Sequence, residues 1–301
     1  MVAYLNFRLF NVDSIKDNHE LLMKSVDPIF TSHLFPVLDE KLLEILRSLS
    51  VKDWDKQTLT PLWKVKDVAA HLLDGNIRTL SMFRDHYFGE KPENIDTYQD
   101  LVDYLNRLNA DWVHAMKRVS PKLLIGLLEI TGHEYSKLMR TLDPFEKAIF
   151  PVAWAGENES VNWFHIAREY TEKYHHQQQI RMAFGQEDIL YQREFYFPYL
   201  DTSLRALPHH YRDVQAEEGE VIKVNISGDC GGNWYLYRSE YKWILVTECL
   251  SHPTCTITIA PEIAWRLFTK GIKPEEAKTY INIAGNELYG NKIFDMLAVM
   301  A

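Results

Sequence analysis

The chain has 301 residues, 46% of them hydrophobic and 25% charged, with a formal net charge of −9 and a pI near 5.7. This composition excludes a disordered or fibrous chain. The acidic balance, with no basic run, argues against nucleic acid or an anionic membrane as a partner. Two domains suit this length better than one. Three cysteines, Cys230, Cys249 and Cys255, are odd in number and form no CxxC pair, which fits a reducing compartment. They fall on or beside predicted strands, where burial is their ordinary role. The segment Met1–Phe10 sets Arg8 inside a short apolar stretch and lacks a cleavage pattern, and no run is long enough to span a bilayer. The expected location is the cytoplasm.

In chain order, apolar residues at Leu38, Leu42, Leu43, Ile45 and Leu46 recur at helical period and predict a helix over 35–49. A polar connection follows over 53–61. Further helices are expected over 65–87, stopping near Gly89, over 98–119, ended by Ser120-Pro121, and over 123–142, ended before Asp143-Pro144. Residues 150–162 read as a loop. A helix over 162–184 ends at Gly185, and an aromatic-rich helical stretch over 190–211 carries Pro208. These helices predict an all-α four-helix bundle over 30–190.

The pattern changes near residue 215, after which 216–220 reads as a linker turn. Ile222, Val224 and Ile226 alternate with polar residues, as do the residues of 254–259, and both segments predict strands. Gly228–Gly232 reads as a hairpin turn, with strands over 234–237 and 242–246. A helix over 261–269, a strand over 280–283 and a closing helix over 291–299 complete a small α+β domain over 215–301.

Two segments carry candidate chemistry. His71 sits among Val68, Ala69, Leu72 and Leu73, so it points toward a core. Glu172 and His176 stand four apart and share one helix face. If the two helices are neighbours, His71, Glu172 and His176 form a two-His, one-carboxylate set with a coordination position open, as in a catalytic zinc site. The bland alternative is a core histidine plus a surface pair. Gln179, one turn beyond His176, is a candidate to orient a ligand or bind substrate. Asp74 and Arg78 follow His71 on the same face, and Arg78 is a candidate carboxylate clamp, with an ordinary solvated face as the alternative. His175, about 100° around the helix, is expected at the surface, and His165 in the core or at the rim. Trp234, Trp243 and Trp265 are expected in the core.

The segments Asp53-Trp54, Trp63 to Leu72 and Glu172 to Arg181, with Gly228 to Trp234 and Ile281 to Leu288, resemble the mycothiol-dependent maleylpyruvate isomerase family of the DinB-like bundle superfamily. The resemblance covers about residues 35–301. It implies a DinB-like metal-binding bundle followed by a sterol-carrier-like domain, with His71, Glu172 and His176 as the metal ligands. It also implies a low-molecular-weight thiol cosubstrate, of the mycothiol or bacillithiol type, and a small electrophilic substrate. In that family an arginine from the second domain is expected near the metal. Here the corresponding stretch, Thr269-Lys270-Gly271, offers only Lys270, which cannot reproduce a bidentate contact.

The sequence therefore points to a divalent-metal-dependent thiol transferase or isomerase, monomeric or homodimeric. Zinc is the first choice of metal, and nickel, cobalt or manganese suit the same nitrogen and oxygen donors. A non-catalytic binding protein and a metal-dependent hydrolase remain as alternatives.

Overall fold

A computed structural model describes residues 24–90, 92 and 95–300. The signal-peptide reading of Met1–Phe10 lies outside the described residues. Helix α1 spans Phe35–Ser48 and α2 Val65–Thr79, and α3 covers Tyr98–Met116, opened by the Thr97–Asp100 capping box. Helix α4 covers Pro121–Met139, with Ser120 as its N-cap and proline in its first turn. Helix α5 covers Asn162–Met182 and is followed by Gly185 at φ +63°, a left-handed position that suits glycine. Helix α2 packs against α3, α4 and α5, while α1 packs against α4 and α5.

The expected helix to Tyr87 instead ends at Thr79 and passes into a π-helical turn over Leu80–Arg84. That wider turn lets buried Phe83 stack on the His165 ring, with centroids 5.0 Å apart and planes within 7°.

Helix α5 is polar yet central, and hydrophobic periodicity does not explain it. Its buried side chains reach main-chain oxygens of other elements. Gln177 donates to the Leu38 carbonyl at 3.2 Å and Arg181 to the Lys41 carbonyl at 2.7 Å. The Tyr170 hydroxyl donates to Phe195 and the Tyr174 hydroxyl to Leu190, each at 2.8 Å. Each bond satisfies a group that burial would otherwise penalise.

Helix α6 (Arg193–Leu204) and the short α7 (Leu207–His210) lead to the sheet. Its strands are β1 (Lys24–Ser25), β2 (Val221–Ile226), β3 (Gly232–Arg238), β4 (Trp243–Glu248), β5 (Cys255–Ile259) and β6 (Ile281–Gly285), in the order β1-β4-β3-β2-β5-β6. All neighbours are antiparallel except β2 and β5, which run parallel with Val224 opposite Ile257. The helical N-terminal region is thus followed by a mixed sheet whose five main strands come from the C-terminal region. Strand β1 was not anticipated: two residues carry no readable period. The turn over 228–232 joins β2 to β3 as expected. Helices α8 (Pro261–Phe268), α9 (Pro274–Ala277) and α10 (Glu287–Asn291) complete the fold.

The closing helix expected over 291–299 is not formed. After α10 a 3₁₀ turn over Lys292–Asp295 gives way to extended Met296, and the Ala298 N–H donates to the Phe268 carbonyl at the end of α8. That bond holds the tail against α8 and removes the N–H from any helical ladder.

One buried apolar cluster runs from Phe35, Tyr135 and Tyr170 through Tyr199 to Trp234, Trp243 and Trp265. Asp201 of α6 ties the halves together: it accepts from the Trp234 indole at 2.8 Å and pairs with Arg205 at 3.0 Å. Among the described residues, no helix is long and apolar enough to cross a membrane. Asp201→Ala would leave the indole N–H without an acceptor, and a loss of about 1–3 kcal/mol is expected. Urea unfolding measures it, and an unchanged midpoint would contradict this role.

Candidate metal centre

The packing of α2 on α5 brings His71 to the Glu172–His176 face. One ligand-type atom from each of the three residues lies within 4.8 Å of the others. The His71 and His176 ring centroids are 4.5 Å apart, and His176 Nε2 stands 3.6 Å from Glu172 Oε2. A tetrahedral zinc with bonds of about 2.1 Å sets its donors roughly 3.4 Å apart, so this spacing suits one cation. His71 Nδ1 is buried with no hydrogen-bond partner.

The electrostatics favour the same conclusion. Burial, with His176 nearby, holds the His71 imidazole well below its usual pKa, so at neutral pH it is an uncharged donor. Burial pushes the Glu172 carboxyl up, but the His176, His175 and His71 imidazoles outweigh it and leave the group well below the ordinary range. The Glu172 side chain is 30% exposed, and among the described residues no Lys or Arg pairs with it, so a divalent cation would supply its counter-charge. The donor set fits a divalent metal, with no thiolate among its ligands.

Gln179 has a defined place. Its Oε1 lies 3.0 Å from His176 Nδ1 and accepts that N–H, which leaves the Nε2 lone pair facing Glu172. Trp63, in the turn before α2, covers another side, with ring centroids 4.9 Å from His71 and 6.0 Å from His176.

None of the other sequence candidates lines the pocket beside the cluster. Arg78 is held by Asp74 through a 2.8 Å contact, and Asp74 is buried, so this pair is no ordinary solvated face. Neither residue lines the pocket beside the cluster. Lys270 adopts φ +58° in the turn after α8 and is also not among the pocket-lining residues; its neighbour Gly271 sits against Leu59. His175 is buried, contrary to expectation, with its Nδ1 2.8 Å from the Thr171 carbonyl. Helix α5 is enclosed on nearly every side, so a 100° rotation does not reach solvent. His165 is a core residue and accepts from Arg168 at 2.7 Å.

Residues 35–181 match the family model described as the mycothiol maleylpyruvate isomerase N-terminal domain. Residues 35–181 belong to that family. Two crystal structures are similar: a mycothiol-dependent maleylpyruvate isomerase (TM-score 0.50) and a mutant of such an isomerase with histidine changed to alanine (TM-score 0.49). Each is 10% identical, and each match covers 84% of this chain and 91% of the other. At that identity the first shows a shared fold. A UbiJ-SCP2 ubiquinone synthesis protein matches 27% of this chain and 70% of its own, at 18% identity and TM-score 0.21, too low to bear on the sheet's kinship. No curated protein sequence matches the chain.

Sequence reasoning missed the polar side chains of this isomerase-family pocket. Asn76, Tyr135, Glu169 and Lys173 line it beside the cluster. The signal for Asn76 was its place on α2, five residues after His71; Tyr135 comes from α4, and only tertiary packing could reveal it.

Two outcomes follow. Gln179→Leu should weaken metal binding about 10- to 100-fold with the circular dichroism spectrum retained; unchanged affinity in a chelator competition would refute its orienting role. His165 and His175 have pKa values held down to about 4, chiefly by burial, against an ordinary 6.5. Below pH 6.5 the unfolded chain therefore takes up protons first. Stability is whole above that pH and falls toward pH 4, by at most on the order of 3 kcal/mol per histidine. Unfolding of the metal-free protein across this range, with His165→Phe flattening the acid limb, checks it.

Proposed function

We propose that this chain is a divalent-metal-dependent thiol transferase or isomerase acting on a small electrophilic substrate. His71, Glu172 and His176 would hold the cation, zinc first and nickel, cobalt or manganese next. The cosubstrate would be a low-molecular-weight thiol of the mycothiol or bacillithiol type. The convergence of three donors from distant segments beside one pocket carries this reading. The family of residues 35–181 and the similar fold of an isomerase named for its mycothiol dependence support it.

When bound, the cation would lower the thiol pKa and so supply a thiolate at neutral pH. The chain's own residues do the rest. Glu172 serves as a ligand and not as a general base. Gln179 fixes the His176 tautomer, and Trp63 shields the imidazoles from water. The sulfur would add to the electrophilic carbon of a conjugated double bond, whose π pair moves onto the activating carbonyl as an enolate. In an isomerase, rotation about the resulting single bond and return of the pair would expel the thiolate and restore the double bond; in a transferase, the enolate carbon would take up a proton and the carbon–sulfur bond would stay. Neither route needs an oxidant or reductant.

Arg78 and Lys270 are not assigned to substrate, since Asp74 holds the first and the second does not line the pocket. We read residues 30–190 as the metal-binding unit and 215–301 as a smaller domain bracing it. The free cysteines suit a cytoplasmic setting.

Metal analysis of the purified protein, with a thiol titration, tests the proposal. About one divalent cation per chain is expected, its loss in His176→Ala, and thiol binding only by the loaded protein. Protein without stoichiometric metal would leave a binding or scaffold role. Ester hydrolysis without thiol would turn the reading to a hydrolase.

A further inference from the structure

The pocket beside the three donors has a charge balance and one unused acceptor that together define what it can receive. Lys173 is the basic side chain among its described lining residues, and it is buried. Its ammonium group is already committed: it donates to Asp39 Oδ1 at 2.8 Å and lies 4.5 Å from the centre of the Tyr135 ring. Glu169 is likewise matched, by Arg168 at 2.7 Å and by the Tyr135 hydroxyl at 3.0 Å. Each of these acids and bases has its opposite. Glu172 with a divalent cation leaves one positive charge, and a thiolate cancels it. No cation remains for a carboxylate.

Asn76 is 1% exposed and lines the same pocket. Its amide orientation is fixed by bonding. The Thr131 hydroxyl donates to the Leu127 carbonyl at 2.7 Å, so its oxygen accepts from Asn76 Nδ2 at 3.1 Å. The remaining atom, Asn76 Oδ1, is buried and has no partner. A buried acceptor without a donor is costly, and a ligand O–H or N–H would satisfy it.

We propose that this pocket receives an uncharged group bearing an O–H or N–H donor, taken by Asn76 Oδ1, and discriminates against carboxylates. The proposal rests on the thiol reading above and narrows its substrate class. The donor could belong to the thiol or to the second substrate, and two series of probes separate these sources.

In the first series, zinc-loaded protein is titrated with 2-mercaptoethanol, ethanethiol and 3-mercaptopropionate. In the second, the zinc-loaded protein held at saturating ethanethiol is titrated with propionamide and propionate. At least a fivefold preference for the hydroxyl thiol over both others, or for the amide over the acid, is expected, as one hydrogen bond of about 1 kcal/mol gives. Preference in the first series alone places the donor on the thiol, and in the second alone on the other substrate. Asn76→Leu should abolish the margin. The wild-type series stands by itself if that variant does not fold. Equal affinities, meaning that a water satisfies Asn76, or tighter binding of either acid, would overturn the proposal. Failure of every thiol to bind would overturn the thiol reading and this proposal with it, whereas equal affinities with thiol bound would overturn this proposal alone.

Discussion

A half-buried carboxylate set against two imidazoles governs this structure. Burial pushes the Glu172 carboxyl up, but His176, with His175 and His71, outweighs it and holds the group ionised, while burial keeps His71 uncharged at neutral pH. Lys173, the next residue, is spent on Asp39. Arg168, one turn earlier, is spent on Glu169. The arrangement thus leaves one unbalanced negative charge with nitrogen donors on either side of it, the condition a divalent cation satisfies.

The rest of the fold holds that carboxylate in place. Helix α5 runs through the centre as a polar rod whose glutamines, tyrosines and arginine satisfy carbonyls at Leu38, Lys41, Leu190 and Phe195. These bonds fix the rotation of the helix, and with it the direction of the Glu172–His176 face. Helix α2 brings His71 to that face, and the sheet braces the assembly through α6 and the Asp201–Trp234 contact. A site built on two packed helices is held more rigidly than one on loops.

Much of this was legible in the sequence, and the reasons differ by element. Helices α1, α3 and α4 carry apolar stripes or sharp Ser-Pro and Asp-Pro boundaries, and their extents follow. The three donors were legible because the i, i+4 spacing and an apolar-flanked histidine are local signals. The burial of His175 was not, because α5 is enclosed through polar contacts to elements remote in the chain. The tail over 296–299 was misread as helical since its tertiary bond to Phe268 leaves no trace in local composition. The pocket residues Asn76, Lys173 and Tyr135 each look like ordinary helix positions. Only the packing of α1, α2, α4 and α5 puts them together.

X-ray absorption at the metal edge of the purified protein tests the central claim most directly. The account predicts two imidazole nitrogens and one carboxylate oxygen around the bound ion, with a sulfur neighbour near about 2.3 Å appearing only after thiol is added. A coordination shell already containing cysteine sulfur before thiol addition, or one unaltered by the His71→Ala and His176→Ala substitutions, would contradict it.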